Sequence, residues 1–540
     1  MSKAPEVGAA KTSQIRDYFP FLTTIRKAQE KALATIARAR QDRKKFVLLE
    51  LPTGTGKSGV AIAAATWASS WGNGAYILSP QKALTAQYMR DFEAVGLVEL
   101  RGRASYQCYE FGTDCETGSS LRGKNPAACS ACPYKLAKDR FVSQKVGVTN
   151  FDYFLAETLY SGQLPRRSML VIDEAHNVEQ KVLGFTDFEI SPRTLQTYSV
   201  PIPSINNGDI SGATQWVSKE MIPAVEYFVS EIAEDDAEKA EERREAENLV
   251  RRMRRFVAGE QNEWAFWNDE KNLVFRPLSA ARYASGFLFS RAEMVVIMSA
   301  TILDFNVFRR TLNIAGSDCE CLALGSDFPA KNRPIFYRPI GSMTFHKKRE
   351  TLPKIAEAID KLLRARPDRK GLIHTNSYEM NRMLTTALAA AGHGHRIITH
   401  RSGGAEAALE QHRLNPGPTV LCSPAMTEGI DLADDLSRFQ VIVKVPYPVH
   451  KDPYVAARMR EKGWYEWQTS MRLVQATGRS VRSALDFAET YIVDSEFGEF
   501  RRKSRRLLPS WWLEAVIEPA ERKPVISERA APKQGERKLF

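Results

Sequence analysis

The sequence predicts an α/β protein with two parallel-sheet lobes and two insertions. Three observations predict it. A strand, a glycine-rich turn and a helix follow one another over residues 46–68. Short apolar runs recur along the chain with helix-like stretches between most of them. Two segments then break that rhythm. Buried strands alternating with helices are the pattern of a parallel sheet covered on both faces. The 540 residues, 43% of them hydrophobic, allow about three or four domains with their own cores.

Phe46-Val47-Leu48-Leu49 reads as a buried strand. The chain then turns through Thr53, Gly54, Thr55, Gly56, Lys57 and Ser58, and the Ala-rich stretch from Val60 to Ala68 reads as a helix. Such a unit is an anion cradle. Backbone N–H groups point inward, and the helix dipole adds partial positive charge. The spacing is that of a relaxed phosphate loop. The leading glycine of the strict pattern is missing, and Pro52-Thr53 stand in that stretch. Lys57 is placed to reach the β- and γ-phosphates of a nucleotide, and Ser58 to hold Mg²⁺.

The runs "AYILSP" at 75, "MLVIDEAH" at 169 and "MVVIMSAT" at 294 belong with this loop in the first lobe. The runs "GLIHTNS" at 371, "TVLCSPA" at 419, "VIVKVPYP" at 441 and "TYIVDSE" at 490 form the second. Residues 100–148 are loop-rich and hold four cysteines. Residues 178–285 lack strong strand runs and are expected to be mainly helical. They include a charged helix at 231–256, with apolar residues sparse before Leu249, expected to be a solvated arm. From about 519 the chain is rich in Pro, Lys and Glu, and disorder is expected.

"VIDEAH" ends a strand on two adjacent carboxylates. Asp173 suits Mg²⁺ held through its water shell, and Glu174 suits orienting and deprotonating an attacking water. Two unpaired carboxylates at the end of a buried strand are costly without a cation. "QATGRSVRS" at 475–483 supplies Gln475, Arg479 and Arg482. On a helix, arginines three apart share a face. Planar guanidinium groups suit phosphate oxygens. As fingers on a transition state they are worth roughly 10³–10⁵ in rate.

The net charge of +12 favours a polyanionic partner. No run of about 18 apolar residues is present, so no membrane-spanning helix is expected. The first residues, "MSKAPEVGAAKTSQ", lack an apolar signal core, so no secretory leader is expected. A reducing, cytoplasmic setting in a prokaryotic or phage-infected cell follows as an expectation, with a monomeric chain. The seven cysteines are then thiols or metal ligands rather than disulfides. Cys108, Cys115, Cys129 and Cys132 are separated by six, thirteen and two residues. The Cys-x₂-Cys pair is a metal signal, and four thiolates suit either Zn²⁺ or a [4Fe–4S] cluster. Cys319, Cys321 and Cys422 show no matching constellation.

With these motifs in order – "LPTGTGKS", "SPQKALTAQ", "DEAH", "SAT", "HTNS", "TEGIDL", "QATGRSVR" – the chain resembles a superfamily 2 DNA helicase of the XPD/DinG type over about residues 18–515. The resemblance implies two RecA-like motor lobes, the first from 1–99, 149–177 and 286–335, the second from 336–518. It implies an iron–sulfur domain at 100–148 with a [4Fe–4S] cluster on the four cysteines, an arch at 178–285 and a tail at 519–540. The implied activity is ATP-dependent, Mg²⁺-requiring 5′→3′ movement on single-stranded DNA with unwinding of forked duplexes, in repair, replication or recombination. Gln29 would lie near the base, and Thr53 to Ser58 would hold the phosphates. Ser299 and Thr301 would couple hydrolysis to DNA. Glu428, Gly429 and Asp431 would link ribose and strand contacts. Phe151, Tyr153 and Tyr447 are candidates for stacking on bases, and Trp511 and Trp512 for packing the last helix. A motor of this kind that moves or remodels without unwinding is the alternative.

Overall fold

The computed structural model describes residues 14–20, 25–121, 129, 132–161, 164–233, 236, 238–269, 271–424, 432, 434–481, 483 and 485–518. The tail from 519, Arg482, Glu428, Gly429 and Asp431 lie outside the described residues.

All seven apolar runs form strands. Phe46–Glu50, Ala75–Ser79 and Arg167–Ile172 are buried along their whole length. Strands buried on both faces cannot alternate polar and apolar residues, which is why they read as continuous runs. With Ala292–Ser299 and three further strands they build a seven-stranded parallel sheet. Its order from edge to edge is Cys319–Ala323, Phe46–Glu50, Ala292–Ser299, Arg167–Ile172, Ala75–Ser79, Val146–Asn150, Val98–Leu100. The helix Lys57–Trp71 leaves the phosphate loop with Val60 to Ala65 and Ala68 all fully buried. A helix apolar around most of its first turns is one buried in a core, and its alanines let it pack closely against the sheet. Against it lies Lys27–Gln41, which buries Ala32, Leu33, Ile36 and Ala39 at helical spacing.

Contact density divides the chain into two units: Met1–Leu51 with Thr55–Leu324 and Val449–Lys462, and Pro52–Gly54 with Gly325–Pro448 and Gly463–Phe540. The first unit includes both insertions. Residues 178–285 are mainly helical, as expected, and carry a small sheet as well. Phe188–Ile190, Leu273–Pro277 and Trp264–Asn268 form a three-stranded antiparallel sheet. Its strands are short and rich in aromatic residues, so no long run announces them. Phe188 stacks on Phe275 with ring centroids 4.4 Å apart. The charged helix spans Ala240–Val257 and is not a solvated arm. Ala246, Val250, Met253 and Phe256 form a thin buried stripe, and Phe256 packs edge-on to Phe275 at 5.0 Å. On its outer side Arg244 pairs with Glu116 of the cysteine segment at 3.1 Å.

Val449–Lys462 packs within this unit through Arg458, which is 1% exposed. Its guanidinium donates to Glu179 at 2.5 Å and to the Leu278 carbonyl at 2.6 Å.

The second unit carries a second seven-stranded parallel sheet. Its order is Ile397–Thr399, Val420–Ser423, Gly371–His374, Phe439–Ile442, Glu489–Asp494, Ile335–Gly341, Val516–Ile517. Cys422 is a buried apolar residue of this sheet. Trp512 is buried as expected and donates its indole N–H to Thr477 Oγ1 at 2.7 Å. Among the described residues no helix is long and apolar enough to cross a membrane.

Candidate functional site

The phosphate loop leaves the end of Phe46–Glu50 and enters the helix at Lys57 through Gly54 and Gly56, both with positive φ, +82° and +77°. A Cβ on Gly56 would stand 2.4 Å from Gln29 Nε2, so this glycine serves conformation and close approach together. Gln29 itself is fixed twice. Its carbonyl oxygen accepts the Arg26 N–H at 2.9 Å, and its amide reaches the Gly56 carbonyl at 3.4 Å. It therefore touches the loop expected to hold the phosphates.

Lys57 Nζ lies 3.3 Å from the Leu51 carbonyl and 3.9 Å from Glu174 Oε1. Asp173 is 2% exposed. It accepts the Tyr88 hydroxyl at 2.7 Å and the Glu174 N–H at 2.9 Å. Burial, then the neighbouring Glu174 charge, pushes its carboxyl up to about 6, while Lys57 opposes that shift. Glu174 has φ +48°, a left-handed backbone rare for a non-glycine residue, at the turn that ends the strand. Its Oε2 lies 3.4 Å from His176 Nδ1, and that nitrogen lies 3.0 Å from Ser299 Oγ. Ser299 Oγ in turn accepts the Thr301 N–H at 3.1 Å. A continuous line of polar contacts thus runs from Lys57 through Glu174 and His176 to Ser299 and Thr301.

Two partners of this site escaped the sequence reading. Tyr88 lies on the helix Lys82–Asp91, where an aromatic residue reads as core. Glu50 is a buried carboxylate whose Oε2 accepts the N–H groups of Ile302, at 2.8 Å, and Leu303. A lone acid ending an apolar strand is the same signal as the acid pair of "DEAH", and it could have been read.

In the second unit, Gln475 is buried on the helix Trp464–Thr477. Arg479 lies beyond that helix, which caps at Gly478, so the expected shared helical face of Arg479 and Arg482 is corrected. Glycine loses more backbone freedom than other residues on entering a helix, so it is a weak point at which to continue one. The Arg479 carbonyl accepts the Leu432 N–H at 3.4 Å. Beside Arg479, His374 is pushed down to about 4, chiefly by burial and further by the arginine charge.

Phe151 and Tyr153 are core residues, not free stacking platforms. The Tyr153 hydroxyl lies 2.7 Å from that of Tyr134, which bonds Glu157 at 3.0 Å, and Glu157 accepts Lys138 at 2.6 Å. This network fastens the helix Pro133–Ser143, which follows Cys132, to the helix Phe151–Ala156. Tyr447 is half-buried, stacked on Tyr465 at 5.9 Å.

The cysteine segment holds Cys108 and Cys115 on either side of a hairpin, Gln107–Cys108 pairing with Thr113–Asp114. Cys115 and Cys132 Sγ atoms are 3.8 Å apart. Cys115, Cys129 and Cys132 line one cavity with Arg103, Tyr134 and Lys138. The Cys115 thiol is pushed up to about 12, by burial first and then by its Cys132 neighbour. Among the described residues no three His, Cys, Asp or Glu side chains converge as a metal-binding group. Cys319 and Cys321 lie on an edge strand with Sγ atoms 3.6 Å apart.

Residues 22–198 match the family described as type III restriction enzyme, res subunit, and residues 359–515 match the helicase C-terminal domain. The human regulator of telomere elongation helicase 1 is 30% identical over 118 residues, 18% of this chain and 10% of that protein. The ATP-dependent DNA helicase chl1 of Schizosaccharomyces pombe is 33% identical over 103 residues, 16% of this chain and 12% of the relative. The chain thus spans about a tenth of the length of the curated relatives it matches. A solved structure titled XPD helicase superposes with a TM-score of 0.66 at 16% identity, covering 92% of this chain and all of the other. The Xpd4 structure from S. tokodaii gives 0.59 at 15% identity, covering 92% of this chain and all of the other. At such identity these two likenesses establish the fold. With the two family matches and the motifs in order between them, the chain is similar to the superfamily 2 helicases of the XPD/DinG type.

Proposed function

We propose that the protein is an ATP-dependent DNA helicase that moves 5′→3′ along single-stranded DNA and opens forked duplexes. The observation that carries this reading is the line of contacts from Lys57 to Thr301. One end suits a nucleotide triphosphate. The other is the stretch to which the resemblance assigns coupling with DNA. The names of the telomere-elongation and chl1 relatives support a DNA-directed role in repair, replication or recombination.

The N–H groups from Gly54 to Ser58 would cradle the phosphates, with Lys57 on the β/γ side. Ser58 and Asp173 fit Mg²⁺: a carboxylate this buried, with its pKa raised, is a group a cation would return to its charged form. When bound, the ion supplies charge neutralisation at the phosphates. Tyr88 keeps the Asp173 carboxylate in place, and Glu174 orients the attacking water. Arg479 and Arg482 take the role of transition-state fingers, and Gly429 and Asp431 that of ribose and strand contacts.

The donor chemistry of Cys108, Cys115, Cys129 and Cys132 fits a [4Fe–4S] cluster, which would stiffen a segment poor in apolar residues. Two thiolates on one tetrahedral zinc ion stand about 3.8 Å apart. The Cys115–Cys132 separation therefore also fits a single zinc ion, and metal analysis of protein purified without air decides between them.

The test is ATP hydrolysis measured with and without single-stranded DNA of mixed sequence. A several-fold rise with DNA is expected. Equal rates at saturating DNA would overturn the reading.

A further inference from the structure

We infer that Glu50 is a positioning residue, the anchor by which the phosphate-loop strand holds the Ser299–Leu303 turn in the form that answers to DNA. The inference rests on the function proposed above and adds to it a residue that no motif includes.

Glu50 ends the strand Phe46–Glu50, and the phosphate loop follows at once. Its main chain is locked in the sheet. Its residue register pairs it with Ser299 on one side and Ala323 on the other. Leu51 N–H donates to the Ser299 carbonyl at 2.9 Å, and the Glu50 carbonyl accepts Leu324 N–H at 2.9 Å. The side chain is free to do something else, and it is buried. A buried carboxylate is expensive unless hydrogen bonds compensate it. Here one oxygen receives two backbone N–H groups, from Ile302 and Leu303.

Those two donors belong to a turn under strain. Leu303 has φ +63°, a conformation a leucine keeps only when its surroundings hold it. The same turn is held from its other end by Ser299, whose hydroxyl meets the Thr301 N–H and His176. Two lines therefore converge on one short turn. One comes from Glu174 through His176 and senses the hydrolytic end of the site. The other comes from Glu50 and senses the strand that carries the phosphate loop. A shift of that strand end moves the carboxylate, and the turn must follow or lose both bonds. Such an element, biased from two places, is what coupling between nucleotide and DNA requires.

Three substitutions test this. Glu50→Asp keeps the charge but draws the oxygen back by one methylene. Glu50→Gln keeps an oxygen where both bonds are made. Glu50→Ala removes it. The readouts are basal and DNA-saturated ATP hydrolysis, KM for ATP, and thermal unfolding. For Glu50→Asp the ratio of stimulated to basal kcat is expected to fall about tenfold, the effect of one lost hydrogen bond to a charged group. KM for ATP should stay near its wild-type value, and Glu50→Gln should restore most of the ratio. A residue that merely stabilises the fold would lower the unfolding temperature and leave the ratio intact. A folded Glu50→Asp protein with the wild-type ratio therefore overturns the inference alone. A wild type that DNA does not stimulate overturns the proposed function with it.

Discussion

Lys57 and Glu174 face each other 3.9 Å apart, and the proposed function gives them roles in turnover separable from any role in holding DNA. Lys57→Ala and Glu174→Gln are each expected to abolish steady-state ATP hydrolysis while single-stranded DNA binding, measured by fluorescence anisotropy, stays near the wild-type level. Normal hydrolysis by either variant would remove that residue from the site. These two and Asp173 were legible in the sequence because their motifs couple residue type to a local turn. The backbone that makes the chemistry is written in the same few residues. Tyr88 was not legible in that way, and Glu50 was legible as an acid ending an apolar strand but not by its partners. Each acts on a partner 85 or 252 residues distant, so only the folded sheet brings the pairs together. Phe151 and Tyr153 show the converse case. An aromatic residue near the cysteine segment suits either a base or a core, and burial decided for the core.

At the scale of elements, the long apolar runs announced themselves and the short or more polar strands did not, Val146–Asn150 among them although it is buried throughout. Cys319–Ala323 has no fully buried residue and forms a sheet edge. The aromatic strands Trp264–Asn268 and Leu273–Pro277 are five residues each, too short to show a period. The helix Ala240–Val257 hides its stripe among charges. The cysteine segment is the element on which unwinding is expected to depend. Opening duplex DNA costs about 1.4 kcal/mol of stacking per base-pair step, so something rigid must stand at the junction. Metal–thiolate bonds can supply that rigidity, since binding energy becomes folding energy. Cys132→Ser is expected to leave DNA-stimulated hydrolysis largely intact and to abolish duplex unwinding, with loss of bound metal by elemental analysis. A Cys132→Ser protein that unwinds as well as the wild type would show that the segment is not the wedge.

For the whole molecule, two parallel sheets with helices, and two insertions that break the rhythm, were foreseeable from alternation alone. Neither alternation nor motif order carries direction of travel or the ability to split a duplex. The proposed activity is the conversion of ATP hydrolysis into strand separation from a 5′ tail. Strand displacement tests it most directly, on partial duplexes that carry a single-stranded tail at one end only, with ATP and Mg²⁺ present. Release of the labelled strand is expected from the 5′-tailed duplex, with none from the 3′-tailed or blunt duplex and none with Glu174→Gln. Release from the 3′-tailed duplex would contradict the direction. ATP hydrolysis stimulated by DNA with no release from any tailed duplex would contradict the helicase and leave a translocase.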